Sequence, residues 1–270
     1  MCVASLASMV GDADYEDVRR RPRLPARDAC RVGWRLRGVV TDRVKRGEGV
    51  FMGLSELMAT YGRNYWEALL STWGMTAFCF ALVMALAVVV TVMRVSPFKP
   101  LRLLGDGYVQ VFRNIPGVAL LIIIVYALPS LKLVLPYRTC VILTVVLVAS
   151  AFGSENFMTG INTIGVGQIE AARSLGLSFG QMLRRIVIPQ ALRTTVLPMT
   201  NLLIAVLLTT SIGSQVPLDP LELTGVVSYI NTRATGGILA FAVSAAGYAL
   251  TAVVIAFVGN RIDRKVRIVR

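Results

Sequence analysis

The chain has 270 residues, of which 55% are hydrophobic and 16% are charged, and its mean hydropathy is +0.67. This composition is too apolar for an ordinary soluble domain and indicates an integral membrane protein. The net charge of +13 does not predict a nucleic-acid partner, because the Lys and Arg residues stand at the ends of apolar runs instead of clustering on a polar surface.

Histidine is absent, and the four cysteines have no metal-ligand or redox spacing. The commonest general base and metal ligand is therefore missing. With few carboxylates in apolar segments, no set of nucleophile, base and acid can be assembled. The chain is predicted to be no enzyme and to bind no metal or cofactor itself.

The N-terminal part differs from the rest, so residues 1–62 are predicted to form a separate segment and residues 63–270 the membrane domain. Residues 1–51 carry 11 Lys or Arg and 7 Asp or Glu and have no apolar run long enough for a signal-peptide core. They are expected to be disordered or to lie upstream of a natural start at Met52. The alternative is a genuine cytoplasmic arm, which needs a sixth crossing that the sequence does not show.

Five stretches without Asp, Glu, Lys or Arg follow, with 26, 18, 16, 25 and 27 residues. A bilayer-crossing helix needs about 20 mainly apolar residues. We therefore predict an all-α membrane protein with five transmembrane helices. They lie at about 68–93, 112–131, 138–158, 193–214 and 236–260, and Pro198 is expected to kink the fourth.

The connecting segments predict the orientation, because Lys and Arg are retained on the cytoplasmic side of a membrane. Twelve Lys or Arg lie between spans one and two, between spans three and four, and in the tail, whereas the two alternate loops contain three. The protein is thus expected to be a multi-pass bacterial cell-membrane protein with its N-terminus outside. Its C-terminus and the loop of residues 160–190 are expected in the cytoplasm.

That loop is predicted to contain two short helices, Gln168 to Leu175 and Phe179 to Ile188, with Pro189 marking the end. Gly176 supplies the turn between them. Ser178 stands three residues before Gln181, which is the spacing of a capping box.

Small and apolar groups on the first short helix are expected to form a knob on its outer surface. They are Ala171, Ala172 and Leu175, with Glu170 and Arg173 as a polar rim. A rigid helical hairpin on a membrane protein is a part that another protein can grip and move, so that force reaches the flanking spans.

The order Glu170-Ala171-Ala172, Gly176, Ile186-x-Ile188-Pro189 resembles the EAA loop of permease subunits of ABC importers. In that family Leu stands at the position of Ile188. The likeness is closest to the polar amino-acid subfamily and extends over about residues 73–269. It includes residues 112–116, FRNIP, which are similar to that subfamily's Phe-Arg-Gly-Thr-Pro.

The resemblance implies the type I ABC importer permease fold, in which this loop forms the coupling helices that bind the ATP-hydrolysing subunit. The coupling residues are then Glu170, Ala171, Ala172, Gly176, Ile186 and Pro189. The implied partners are two ATPase subunits, a second permease subunit, an extracytoplasmic solute-binding protein and membrane lipid. ATP is bound by the ATPase, and this chain has no Gly-x-x-x-x-Gly-Lys-Ser/Thr run. The implied substrate is a polar amino acid, with glutamate the expected one.

Polar residues inside the spans are the candidates for the substrate pathway: Glu155, Asn156, Asn201 and Thr209. Glu155 either meets an ammonium group or orders water there, or it is solvated where the third span leaves the bilayer. Asn201 and Thr209 either face a pore or hold helices together. Arg113 either pairs with a carboxylate or snorkels to the headgroups.

Two departures from the family pattern bear on the assembly. Leu208-Thr209 stands where related subunits have Lys-Asp, and Met158 stands where they have Arg. These losses favour a heterodimer in which the second permease subunit supplies the charges and small-residue faces are buried, such as Ala245, Ala246 and Gly247. The alternative function is a non-ABC secondary transporter or channel subunit, for which internal repeats and membrane carboxylates are expected; there is no such repeat.

Overall fold

The computed structural model describes residues 53–233 and 237–266, and the expectations for residues 1–52 lie outside them. All regular elements in the described part are helices. In chain order they are α1 (Leu54–Val95), α2 (Lys99–Asn114), α3 (Gly117–Ile122), α4 (Tyr137–Asn162), α5 (Val166–Ser174), α6 (Phe179–Met182), α7 (Ile188–Thr194), α8 (Val196–Thr209), α9 (Leu223–Asn231) and α10 (Gly237–Val266). A π turn (Ile123–Ala127) and a 3-10 turn (Leu128–Leu131) continue α3, a π turn (Leu183–Val187) joins α6 to α7, and a 3-10 turn (Thr210–Gln215) extends α8.

Four helical segments are long and apolar enough to cross a membrane: α1, α4, α8 with its extension, and α10. A fifth is possible if α2 and the segment Gly117–Leu131 count as one span, although the two are bent by 100° at the break between them. The predicted all-α membrane class is confirmed, with four spans by length and composition and up to five when the bent pair is counted as one.

The first helix is longer than predicted, since α1 has 42 residues and measures roughly 63 Å at 1.5 Å per residue. It begins at Leu54, within the segment predicted for residues 1–62. Leu57 is fully buried in a cluster with Val226 and Ile230. This packing makes residues 54–62 part of the helical bundle, which extends α1 beyond a hydrocarbon core about 30 Å thick.

The second span is shorter than the predicted 112–131, because α2 ends at Asn114 and a new helix begins at Gly117. Ile115 between them has an extended backbone (φ −87°, ψ 126°). The α-helical backbone conformation is disfavoured for a residue that precedes a proline. Pro116 therefore forces the break at Ile115. Phe112 and Arg113 consequently belong to α2.

Of the two prolines near the fourth span, Pro198 interrupts the predicted span 193–214 as expected, whereas Pro189 acts differently from the prediction. Pro198 lies in the first turn of α8, where a missing N–H leaves no hydrogen bond unmade. The break is at Thr195 (φ −94°, ψ 1°), next to Thr194, whose carbonyl would meet the proline ring. Pro189, expected to end a helix, stands at the start of α7 just after a π turn, and the helical path continues to Thr194.

The bundle is organised by the packing of α1 on α4, where apolar residues such as Val83, Ala87 and Val145 are almost fully buried. A Cβ at Gly153 of α4 would lie only 2.8 Å from the Cβ of Ala87, so a glycine is needed for this close approach. Cys79 and Cys140 are buried free thiols that pack in the same cluster.

A second close approach joins α8 to α10. A Cβ added at Gly259 would clash with the side chain of Thr200, which is short and β-branched and cannot turn away. We predict that Gly259→Leu lowers the free energy of unfolding by about 1–3 kcal/mol through overpacking.

The measurement is the thermal unfolding midpoint of the purified chain in one detergent. Val258→Leu is the matched control, because Val258 is 49% exposed and the added methylene meets no packed neighbour. Equal midpoints for the two variants would contradict this account of the α8–α10 contact.

Candidate functional site

The predicted helical hairpin is present as α5, a turn and α6. Gly176 has φ +73°; its N–H donates to the Arg173 carbonyl at 2.9 Å, and the Leu177 N–H donates to the Ala172 carbonyl at 3.1 Å. These two bonds form a Schellman cap, which requires a left-handed residue and therefore favours glycine. The sequence-based assignment of the turn to Gly176 is confirmed.

The capping box at the start of α6 is also present. The Ser178 hydroxyl accepts from the Gln181 N–H at 3.4 Å, and the Ser178 N–H donates to Gln181 Oε1 at 3.0 Å. A third polar contact closes the open end of the hairpin, where Gln190 Nε2 donates to Gln168 Oε1 at 2.9 Å. The hairpin is thus held at its turn, at its second helix and at its base.

The interior of the hairpin is a small apolar core. Ala172 is 2% exposed and packs with Ile164, Met182 and Val187, while Ile186 is partly buried beside them. The expectation that Ala172 lies on the outer surface is therefore wrong, because α5 needs a small residue where it rests on the second half of the hairpin. The outer surface is formed by Glu170, Ala171 and Leu175, all exposed.

The hairpin is joined closely to the membrane helices. At Gly160, near the end of α4, a Cβ would lie 3.0 Å from the Ala191 carbonyl oxygen of α7 and would clash with Thr195. Thr195 is almost fully buried and donates to the Ala191 carbonyl at 2.9 Å. Displacement of α7 is therefore resisted directly by the end of α4.

Four charged side chains meet at the hairpin end of the bundle. Arg94 of α1 contacts Asp106 of α2 at 2.8 Å (Nε–Oδ1) and Glu155 of α4 at 3.0 Å (Nη2–Oε1). Arg113 of α2 contacts the same Glu155 oxygen at 3.4 Å. Arg94 Nη1 also donates to Ser154 Oγ at 3.3 Å, so three helices are linked through one guanidinium.

This cluster gives Arg113 one of its two expected roles and gives Glu155 a role that the sequence did not predict. Glu155 is half-buried and shared by two arginines, so its charge is neutralised within the chain. Arg113 pairs with that carboxylate and stacks over the Phe152 ring at 5.4 Å, instead of only extending to the headgroups. Arg94 and Asp106 were not identified from the sequence as members of a charged site. The signal for Arg94 is its position directly after the uncharged stretch of 26 residues that forms the first span.

The remaining pathway candidates do not converge with Glu155. Asn156 Nδ2 donates to the Pro198 carbonyl at 3.2 Å and so joins α4 to α8. Thr209 donates to the Ala205 carbonyl of its own helix at 2.7 Å. Asn201 is exposed and lies roughly 12 Å along α8 from Thr209, at 1.5 Å per residue.

A buried carboxylate in the segment between α8 and α9 was also missed. Glu222 is 1% exposed and caps α9: its two oxygens accept from the N–H groups of Thr224 and Gly225 at 2.6 and 2.7 Å, and from the Tyr248 hydroxyl at 2.9 Å. Burial raises the pKa of the Glu222 carboxyl, whereas these hydrogen bonds lower it. The sequence signal for this helix cap is a Glu that directly precedes the apolar segment of α9 and stands two residues before Thr224.

Glu222 also borders an open cavity of about 390 Å³ at the end of the bundle opposite the hairpin. The Leu223 N–H donates to Thr72 of α1 at 3.2 Å, and Ser244 of α10 donates to the Leu223 carbonyl at 2.7 Å. The carboxylate and these two bonds fix the segment between α8 and α9 on the bundle.

Residues 77–268 match the family model described as binding-protein-dependent transport system inner membrane component. The chain belongs to this family. It is therefore a multi-pass inner-membrane permease subunit and not itself an enzyme, and the resemblance drawn from the EAA loop is confirmed. The secondary-transporter or channel alternative finds no support.

Curated relatives and solved structures agree with this assignment. The permease is 34% identical over 207 residues to the glutamate transport system permease protein GluC of Corynebacterium efficiens, covering 72% of this chain and 90% of the relative. It is 37% identical over 116 residues to the probable glutamine ABC transporter permease protein GlnM of Bacillus subtilis, covering 43% and 54%.

Two solved structures share the fold. A crystal structure of an amino acid ABC transporter with histidines superposes with a TM-score of 0.72 at 24% identity, covering 77% of this chain and 96% of that chain. An inward-facing MetNI methionine ABC transporter gives a TM-score of 0.61 at 24% identity, covering 80% and 100%. The predicted type I importer permease fold is confirmed.

The charge cluster of the permease generates a prediction about stability. Arg94 is 12% exposed and has three partners, whereas Arg113 is 40% exposed and has one carboxylate partner. Arg94→Gln is expected to cost about 2 kcal/mol, since it leaves Asp106 and Glu155 partly desolvated and short of a cation. Arg113→Gln is expected to cost less than about 1 kcal/mol.

Unfolding midpoints of both variants in the same detergent test the difference. A larger loss for Arg113→Gln than for Arg94→Gln would show that Arg94 is not the centre of the cluster.

Proposed function

We propose that the permease imports a polar amino acid, with glutamate as its substrate, in a complex driven by two ATPase subunits. A second permease subunit and an extracytoplasmic solute-binding protein complete the complex. Several relatives are named for such substrates. They are the glutamate permease proteins GluC of two Corynebacterium species, and the probable glutamine permease protein GlnM and the cystine permease protein TcyB of Bacillus subtilis. Their range supports the substrate class more strongly than the choice of glutamate.

The observation that carries the proposal is the construction of the hairpin. Its outer surface offers Glu170, Ala171 and the fully projecting side chain of Leu175, which is 80% exposed, as a contact for an ATPase. Its inner residues Ala172 and Ile186 keep the two halves together, and Gly176 fixes the turn. ATP binds to the ATPase subunit in this mechanism, and the permease moves in response.

The close contact of α7 with the end of α4 gives the route by which that movement reaches the membrane. Pro189 starts α7, and α7 leads through Thr195 into α8. When two ATPases close on ATP and draw two hairpins together, α4 and α8 turn with them, and the spans change from inward-facing to outward-facing. Hydrolysis then returns the complex to its first state.

The proposed orientation places the hairpin in the cytoplasm and the N-terminus outside. The ends of α1 and α4, the start of α8 and the last turns of α10 share the hairpin end of the bundle, since Arg94 meets Glu155 and Gly259 meets Thr200. Basic residues concentrate there, including Arg184, Arg185 and Arg264, as expected for a cytoplasmic side.

For the substrate pathway we assign the exposed stripe of α8 that contains Leu197, Asn201, Ala205 and Leu208, with Thr209 beside it. Asn201 is the polar group of that stripe, and Asn156 positions α4 next to it through the Pro198 carbonyl. The only polar side chain in this stripe is an uncharged amide, so the stripe has no charged group to bind the ammonium or the carboxylate of an amino acid. We therefore assign those charges to a different second permease subunit.

The surface of α10 suits such a pairing in part. Ala245 and Ala246 are exposed and available to a second subunit. Gly247 faces inward instead, where a Cβ would lie 3.3 Å from Leu223, so it is not part of the outer surface.

A test of the hairpin uses its left-handed turn. Gly176→Val is expected to abolish substrate-stimulated ATP hydrolysis by the assembled complex while leaving membrane insertion intact, because a β-branched residue is strongly disfavoured at positive φ. Gly176→Asn is the matched control, since Asn tolerates this conformation, and it should retain most of the stimulation. Full stimulation with Gly176→Val would exclude this turn from the coupling element.

Uptake measurements test the heterodimer and the substrate. We expect vesicles that contain this permease, the ATPase and the binding protein to take up no labelled glutamate without the second permease subunit, and to take it up when that subunit is added. Uptake by the first set would contradict the heterodimer. Uptake of labelled glutamine but not glutamate by the complete set would exclude glutamate and keep the amino-acid class.

A further inference from the structure

Helix α2 has three distinct surfaces along its 16 residues. At 100° per residue, the surface that faces the bundle carries Gly105, Val109 and Phe112, of which the first two are buried and the third is half-buried. A polar surface carries Lys99, Arg102, Asp106, Gln110 and Arg113. The third surface is exposed and mainly apolar; it carries Leu104 and Val111 with Pro100 and Gly107, and Leu103 and Asn114 lie at its border with the polar surface.

The exposed apolar surface has no cover within the described chain. Leu103 is 69% exposed and Leu104 is 66% exposed, and the neighbouring Phe98 is 72% exposed. Water would be an unfavourable environment for three large apolar side chains that are exposed within seven residues of chain. An amphipathic helix with this division of surfaces is typical of a helix that lies in the boundary layer of a membrane.

The direction of α2 fits that position. The bend of 100° to the segment Gly117–Leu131 differs from a right angle by only about 10°, so α2 lies near the membrane plane when the following segment runs along the membrane normal. The depth of α2 along the membrane normal also fits, because its Asp106 contacts Arg94 in the last turn of α1. That turn is where the apolar run of the first span ends.

The four cations around α2 fall into two pairs. Arg94 and Arg113 are paired with Asp106 and Glu155. Lys99 and Arg102 form no ion pair within 4.0 Å to any carboxylate of residues 53–233 and 237–266. Both are exposed and lie three residues apart, so they occupy the same side of the first turn of α2.

We propose that α2 is an interfacial helix that binds anionic phospholipid headgroups through Lys99 and Arg102. Leu103, Leu104 and Phe98 insert between the upper parts of the acyl chains, and the two cations stand at the level of the phosphates. The charge of the pair is complementary to an anionic headgroup and not to the zwitterionic phosphatidylcholine. The ion pairs of Arg94 and Arg113 hold the helix against the bundle, so the cations are presented at a fixed depth.

The binding test uses the purified full chain in a neutral detergent, titrated with phosphatidylglycerol or phosphatidylcholine and followed by native mass spectrometry. The wild-type chain is expected to prefer phosphatidylglycerol. Lys99→Gln with Arg102→Gln should weaken phosphatidylglycerol binding about 30-fold, since each interfacial cation contributes about 5-fold, and should leave phosphatidylcholine binding unchanged.

Lys132→Gln with Arg138→Gln is the matched control, because it removes two cations from the opposite end of the bundle. It should keep the phosphatidylglycerol affinity of the wild type. An equal loss in the control would show that only total charge matters, and absence of a lipid preference in the wild type would overturn the proposal directly.

The depth of α2 is tested separately with nitroxide labels in vesicles of phosphatidylglycerol and phosphatidylcholine, on a chain whose four cysteines have been replaced. A label at Leu104→Cys is expected to be accessible to oxygen and protected from a water-soluble nickel reagent, and a label at Gln110→Cys, about 120° away around the helix, is expected to show the reverse preference. Equal accessibility of both sites to the nickel reagent would place α2 in water and overturn the proposal. Protection of Leu104→Cys only after the ATPase subunits are added would assign the surface to a protein contact instead.

Discussion

Contact between backbones at Gly160 is the constraint on which the rest of the molecule depends. In the proposed mechanism an ATPase moves the hairpin, and a movement is useful only if it is transmitted without loss to the spans. A side chain at residue 160 would separate α4 from Ala191 and Thr195, and the hairpin could then shift while α4 remained still. The hairpin must also be rigid itself, which explains why it has an apolar core around Ala172 as well as caps at both helices.

Charge in the membrane domain follows a second constraint, because an ionised group in an apolar environment is stable only with a partner. Arg94, Asp106, Arg113 and Glu155 satisfy one another in a group without net charge. That neutrality removes Glu155 from consideration as a lone binder of the substrate ammonium, and it joins α2 to the two central helices. The carboxylate of Glu222 is stabilised in another way, by backbone N–H groups and a tyrosine hydroxyl.

These constraints place two kinds of contact at one end of the bundle. In the proposals above the hairpin is the surface that binds the ATPase, and α2 is the amphipathic surface whose two cations bind lipid. Since α2 is linked to α4 through Glu155, and α4 is linked to the hairpin at Gly160, both proposed contacts would act on the same helix. The opposite end is held by the capped helix α9, so the two ends of the bundle are stabilised independently.

The sequence by itself determined the all-α membrane class, the turn at Gly176 and the capping box at Ser178. Each of these follows from local chemistry, namely the apolar length of a segment, the conformational freedom of glycine and the reach of a serine hydroxyl over three residues. Tertiary structure alone decided that Ala172 faces inward, that Pro189 stands at the start of a helix, and that Arg94 joins Asp106 and Glu155 across 12 and 61 residues of chain. Those outcomes depend on which helices pack together, and no periodicity within a single segment records its neighbours in space.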